Sequence, residues 1–119
     1  MQKRILVVDD DTMNLMRTKM ILEKYYEISL ADSGEKALYV LRNEKIDLVL
    51  LDIAMPKMNG IETFERMKES SVDIPVIFLT ASGHEDDVMS AIRLGAVNYL
   101  KKPFQPQELL KRVAQEFEE

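Results

Sequence analysis

Residues 47–60 read DLVLLDIAMPKMNG. A short run of Val and Leu bounded by turn residues suits a strand buried on both faces, the kind that parallel sheets use. The run at 47–51 stops at Asp52, and Pro56 and Gly60 break the chain before a stretch carrying Ile61, Phe64 and Met67 at helical spacing. This segment is one strand-loop-helix unit with a carboxylate where the strand ends.

The same unit recurs in both directions. Upstream, residues 4–8 form an expected strand, and about 13–24 an expected helix with apolar positions at Met13, Met16 and Met20 and at Leu15 and Leu22. A second strand follows at 26–31, and Ser33 can cap the helix that carries Ala37, Leu38 and Leu41. Downstream, Pro75 opens a fourth strand, and a helix at about 85–94 places Val88, Ala91 and Ile92 on one face before stopping near Gly95. After a strand at 97–101, Pro103 and Pro106 lead into a last helix with Leu109, Leu110, Val113, Ala114 and Phe117. Five such units, (βα)5, predict an α/β fold: a doubly wound, five-stranded parallel sheet with crossover helices. Most of the eight methionines fall at apolar helix positions and are read as core filling, while Met55 and Met58 belong to the loop after Asp52.

Size and composition narrow the function. A chain of 119 residues is one domain by length, and no repeat, low-complexity tract or linker places a boundary inside 1–119. It is either a complete single-domain protein or a piece of a longer one. An apolar fraction of 46% with 31% charged residues is ordinary for a globular protein in water. The net charge of −5, without a basic run, argues against direct nucleic-acid binding. With no cysteine there is no disulfide framework, thiolate chemistry or cysteine zinc site, which fits the cytoplasm. The apolar runs are too short to cross a bilayer, and MQKRILVVDD does not read as a signal peptide, so the chain is expected to be soluble and unexported.

The chemistry lies at the strand ends. Asp9 and Asp10 follow ILVV, Asp52 follows DLVLL, Thr80 follows VIFL and Lys102 follows NYLK. In parallel strands all five groups gather at one edge of the sheet, where open α/β sheets bind their ligands. Each has a plain structural reading: adjacent acids make capping turns, an acid or a Thr often ends a strand, and a Lys before Pro is commonly at the surface. Together, three acids offer the oxygen ligands that Mg²⁺ prefers, and a Lys is a compact charge for a phosphoryl oxygen. Packed acids repel one another, so at least one should have a raised pKa and metal should stabilise the fold. Asp11 is assigned to the start of the first helix, where negative charge is favoured. His84 is read as a surface residue, and no Ser-His-Asp set, Gly-rich phosphate loop or histidine metal cluster is present.

ILVVDDD, LLDIAMPKMNG, IFLTAS and NYLKKPF, in that order and spacing, resemble the receiver domains of bacterial two-component response regulators over essentially the whole chain. The segment D-x-x-M-P-x-M-N-G has no purely structural need for all its members. The resemblance implies a flavodoxin-like strand order 2-1-3-4-5 and a signalling switch that catalyses only its own phosphorylation and dephosphorylation. It implies Asp52 as phosphoacceptor, and Mg²⁺ (or Mn²⁺) held by Asp9, Asp10, Asp52 and the Ala54 carbonyl. Thr80, the Ala81 main chain and Lys102 would bind the phosphoryl group, with a cis bond between Lys102 and Pro103. Thr80 and Tyr99 would form the switch, and Ala54 and Ser82 would flank the path of water and tune phosphoryl loss.

The implied partners are a sensor histidine kinase or phosphotransfer protein, which donates from a phosphohistidine, and an unknown target or effector domain. The responding surface would be the fourth helix, fifth strand and fifth helix. Asn98 stands where relatives that dimerise through this face often carry an acid, so their salt-bridged dimer is not expected and homodimerisation stays open. Two other readings remain: an interaction module of the same fold that needs no phosphorylation, and a small enzyme using Asp52 as nucleophile on an external phosphorylated substrate. The second lacks an acid two residues after the nucleophile, where Ala54 stands.

Overall fold

The computed structural model describes residues 2–81 and 85–118, with Glu85 described by its main chain only. Ser82 and His84 lie outside the described residues. The elements alternate: β1 (Arg4–Val8), α1 (Thr12–Leu22), β2 (Glu27–Ala31), α2 (Gly34–Asn43), β3 (Leu48–Asp52), α3 (Gly60–Glu69), β4 (Val76–Ala81), α4 (Glu85–Leu94), β5 (Asn98–Lys102) and α5 (Pro106–Phe117). All strand pairs are parallel and the order is β2-β1-β3-β4-β5. The chain leaves β1 for β2 on one side and returns to place β3 on the other. Strand order therefore reverses between β1 and β3, and a crevice opens beyond their carboxyl ends.

The apolar runs are buried on both sides because successive strand residues point to opposite faces. Leu6, Val8, Val49, Leu51 and Phe78 pack with Ala37, Phe64, Met67 and Ala91 of α2, α3 and α4. Ile5, Val7, Leu48, Leu50, Ile77, Leu79 and Leu100 pack with Leu15, Leu22, Leu109 and Val113 of α1 and α5. Burying such side chains contributes roughly 1.5–3 kcal/mol each, which is why a chain with no cysteine can hold this sheet without a disulfide.

Local signals set the helix ends. The Asp11 carboxylate accepts from the Met13 and Asn14 amides, and Ser33 Oγ accepts from the Lys36 amide. Asn59 and Glu62 form a reciprocal capping box at the start of α3. Gly95 stops α4 with a φ of 103°, a left-handed conformation that glycine adopts without a Cβ penalty.

Several expectations need correction. β3 runs from Leu48 to Asp52, one residue later than expected: Asp47 precedes it, with its amide donating to the Arg4 carbonyl and its carboxylate accepting from the Arg4 amide, each at 2.8 Å, and Asp52 is in register with Leu79. On α1, Met13, Met16 and Met20 are exposed and the inward residues are Leu15, Thr18 and Leu22. Both triplets have the same i, i+3, i+7 spacing, and they are offset by two residues, which is about 200° around a helix. Met89 and Ile92 are also exposed, as is Ala114. Core filling by methionine holds for Met67 and fails for these exposed ones, and Met55, assigned to the loop after Asp52, is itself buried.

Candidate phosphoryl and metal site

The crevice at the reversal point collects the charged groups. Asp9 follows β1, its amide donates to the Ala31 carbonyl of β2, and its Oδ1 accepts from the Asp11 amide at 3.0 Å. Asp52 sits at the end of the central strand β3, with 6% of its surface exposed, and Asp9 with 2%. Asp10 is exposed beside them. A carboxylate oxygen from each of Asp9, Asp10 and Asp52 lies within 4.8 Å of the others. Three hard oxygen donors, one of them open to solvent, fit a divalent cation that retains water ligands.

Lys102 reaches the same point from β5. Its Nζ donates to Asp9 Oδ2 at 2.9 Å and lies 3.2 Å from Asp52 Oδ1. The peptide bond between Lys102 and Pro103 is cis. Burial pushes the Asp52 pKa up from 3.8 to about 6; Lys102 pulls against this, and Asp9 and Asp10 add to it. The raised pKa expected from repulsion among acids is thus present, but loss of solvent is its largest cause. Burial alone would lower the Lys102 pKa, yet the hydrogen bond to Asp9 and the charge of Asp52 outweigh it and leave the ammonium firmly protonated.

Thr80, on β4 beside β3, is buried at 2% exposure, and its hydroxyl donates to the Ala81 carbonyl at 3.2 Å. Ala81, the last residue of β4, and Ala54, two residues past Asp52, are exposed. Tyr99 is 39% exposed and lines a groove of about 270 Å³ with Thr80, Ala81, Val88, Met89, Ile92 and Lys101. The groove joins the Thr80 corner to α4. A second groove, of about 230 Å³, runs from Asp9 and Lys102 past Asn14, Arg17 and Thr18 of α1 to Phe104. A wider depression lies at the other end of the strands, around Arg4, Glu27, Glu44 and Asp47. Arg4 crosses it to Glu27 at 3.1 Å, and it holds none of the strand-end groups.

The structure brings Asp9, Asp10, Asp52 and Lys102 together, with Thr80 one strand away from Asp52. Two contributors escaped the sequence reading. Gly60 was read as a chain break, yet a Cβ there would fall on the Asp52 carbonyl oxygen and on Ile53 Cα. The NG pair before a helix was its visible signal. Arg112 on α5, which binds the β5 main chain, carries no motif that could have singled it out.

A parallel sheet with order β2-β1-β3-β4-β5, and with two buried acids and a lysine converging at its switch point, places the chain among flavodoxin-like α/β folds. The model of the response regulator receiver domain family matches residues 5–114, and the chain belongs to that family. It is 41% identical over 111 residues to the response regulator SaeR of Staphylococcus aureus strain USA300, covering 92% of this chain and 48% of that protein. The chain thus spans about half the length of the curated relatives it matches. Among solved structures, a CheY-like receiver domain protein from Methanospirillum hungatei JF-1 superposes with a TM-score of 0.91 at 34% identity, covering 98% of this chain and 94% of that one. A receiver domain protein from Clostridium thermocellum gives 0.88 at 32% identity, covering 96% and 93%.

Proposed function

We propose that Asp52 accepts a phosphoryl group in a Mg²⁺-dependent reaction. The donor is a phosphohistidine of a sensor histidine kinase or phosphotransfer protein, or a small acyl phosphate. The observation that carries this reading is the cluster itself: three carboxylates with oxygens within 4.8 Å and Lys102 Nζ against two of them. A carboxylate oxygen of Asp52 attacks phosphorus as the bond to the donor nitrogen or acyl oxygen breaks, and the electron pair leaves with the donor. Phosphoryl transfer depends mostly on positioning and on neutralising charge at the phosphoryl oxygens. Asp9, Asp10, Asp52 and the Ala54 carbonyl would hold the cation, which supplies most of that neutralisation.

Lys102 supplies the rest: its ammonium releases Asp52 Oδ1 and follows the negative charge to a phosphoryl oxygen. The Ala81 amide and the Thr80 hydroxyl bind other phosphoryl oxygens, and to do so the hydroxyl leaves the Ala81 carbonyl. That rotation vacates space beside the groove that Tyr99 lines, and the α4–β5–α5 face then presents a different surface to a target, an effector domain or a second copy. Ala54, two residues past the phosphoacceptor, tunes the access of the water that hydrolyses the acyl phosphate. The setting proposed for this cycle is the cytoplasm.

Beryllofluoride with Mg²⁺ tests the reading, because it mimics a phosphoryl group on a carboxylate without transfer chemistry. The melting temperature of the parent should rise with Mg²⁺ and rise further with beryllofluoride, and Asp52→Asn should lose the second increment. A parent that responds to neither would leave an interaction module that needs no phosphorylation as the better reading.

A further inference from the structure

We propose that Arg112 is a positioning residue that couples α5 to the main chain of Tyr99, so that a shift of β5 at this residue is carried into α5. The inference rests on the phosphoryl-switch reading and adds to it a direct mechanical link. Arg112 Nη1 donates to the Tyr99 carbonyl at 2.6 Å and to Asn98 Oδ1 at 2.8 Å. The same Asn98 oxygen accepts from the Tyr99 amide at 2.8 Å. Both main-chain polar groups of Tyr99 are therefore held by side chains, one of them from α5.

The placement gives this triad its meaning. β5 is an edge strand and, among the described residues, has β4 as its only strand neighbour. Its contact with α5 has an apolar part, Leu100 against the cluster containing Leu109 and Val113, and a polar part through Arg112. Apolar burial is non-directional, whereas hydrogen bonds to a planar guanidinium are directional, so the polar part fixes the relative position of β5 and α5 more narrowly. The Tyr99 side chain lines the groove that reaches Thr80, while its main chain is tied to α5. One residue thus spans the site corner and the last helix. The other partner of Arg112, Glu108 on the same helix, is 4.0 Å away, so its closest contacts lead to β5.

Hydrogen-deuterium exchange with beryllofluoride and Mg²⁺ tests the coupling in the parent, Arg112→Ala, Arg112→Lys and Asn98→Ala. In the parent, beryllofluoride should protect the segment after β3 and change exchange along α5. Arg112→Ala should keep the protection after β3 and lose most of the α5 change; Arg112→Lys, which still donates to one acceptor, and Asn98→Ala, which leaves the Arg112 bond to the Tyr99 carbonyl, should each keep part of it. A merely structural role would shift α5 exchange equally with and without beryllofluoride. Protection after β3 together with an α5 response in Arg112→Ala equal to the parent's would overturn the coupling alone. A parent with no protection after β3 would contradict the phosphoryl-switch reading and the coupling with it. Asn98→Ala leaves α5 chemically intact, so an Arg112 variant that fails to fold does not remove the test.

Discussion

Asp52 is held in two conflicting environments, and the conflict has a measurable consequence. It is nearly removed from water, which disfavours its ionised form, yet it faces the Lys102 ammonium, which favours it. Burial prevails, with a pKa of about 6 against an ordinary 3.8. Between these values the folded chain binds a proton at Asp52 more tightly than the unfolded chain does. Stability therefore falls as pH rises through this window, and at neutral pH the metal-free fold carries the cost of a buried anion. Asp52→Asn removes it. In chelator at pH 7 the variant should be more stable than the parent by about 1–2 kcal/mol, after allowance for the solvent at the crevice mouth. The advantage should shrink toward pH 4. Thermal melts across that range check this, and an Asn variant equal to the parent at every pH would contradict it. In the sequence, Asp52 was recognisable from its position at a strand end. The size and cause of its shift were not, because they depend on how far neighbouring strands and loops exclude water.

The elements show where periodicity stops being informative. Strand runs such as ILVV and VIFL were readable because every residue in them is apolar, so facing did not matter to their assignment. On α1, two triplets of identical spacing competed, and the one with Thr18 in it turned inward. Summed hydrophobicity separates Met13, Met16 and Met20 from Leu15, Thr18 and Leu22 only slightly, so it does not choose the inward face. What decides is which face the flanking β1 and β2 connections turn to the sheet, and that is tertiary information. The joint between β3 and α3 was visible as a turn, but its tightness was not. Gly60 donates its amide to the Ile53 carbonyl at 2.8 Å, and a Cβ at 60 would meet main-chain atoms of Asp52 and Ile53. Main chain cannot move aside as a flexible side chain can. Gly60→Ala should cost about 1–3 kcal/mol of stability and displace the end of β3, weakening the response to Mg²⁺ along with the melting temperature. A variant with unchanged stability and Mg²⁺ response would show that the joint has slack.

At the scale of the whole molecule, the fold places the candidate site groups by topology. Asp9, Asp52, Thr80 and Lys102 come from four different strands or their ends and span 93 residues of sequence between Asp9 and Lys102. They meet because parallel strands all present their carboxyl ends to one edge. That convergence could be read from the chain once the five strands were recognised. The tie of Arg112 to the edge strand could not, since it joins an ordinary helix position to a main-chain carbonyl. The measurement that bears most directly on the account is intact-mass analysis after incubation with acetyl phosphate, for the parent, for Asp52→Asn and for the parent with Mg²⁺ chelated. One added phosphoryl group is expected in the parent with Mg²⁺ and none in the other two; an adduct that persists in a folded Asp52→Asn, or its absence from the parent with Mg²⁺, would rule out Asp52 as the phosphoacceptor.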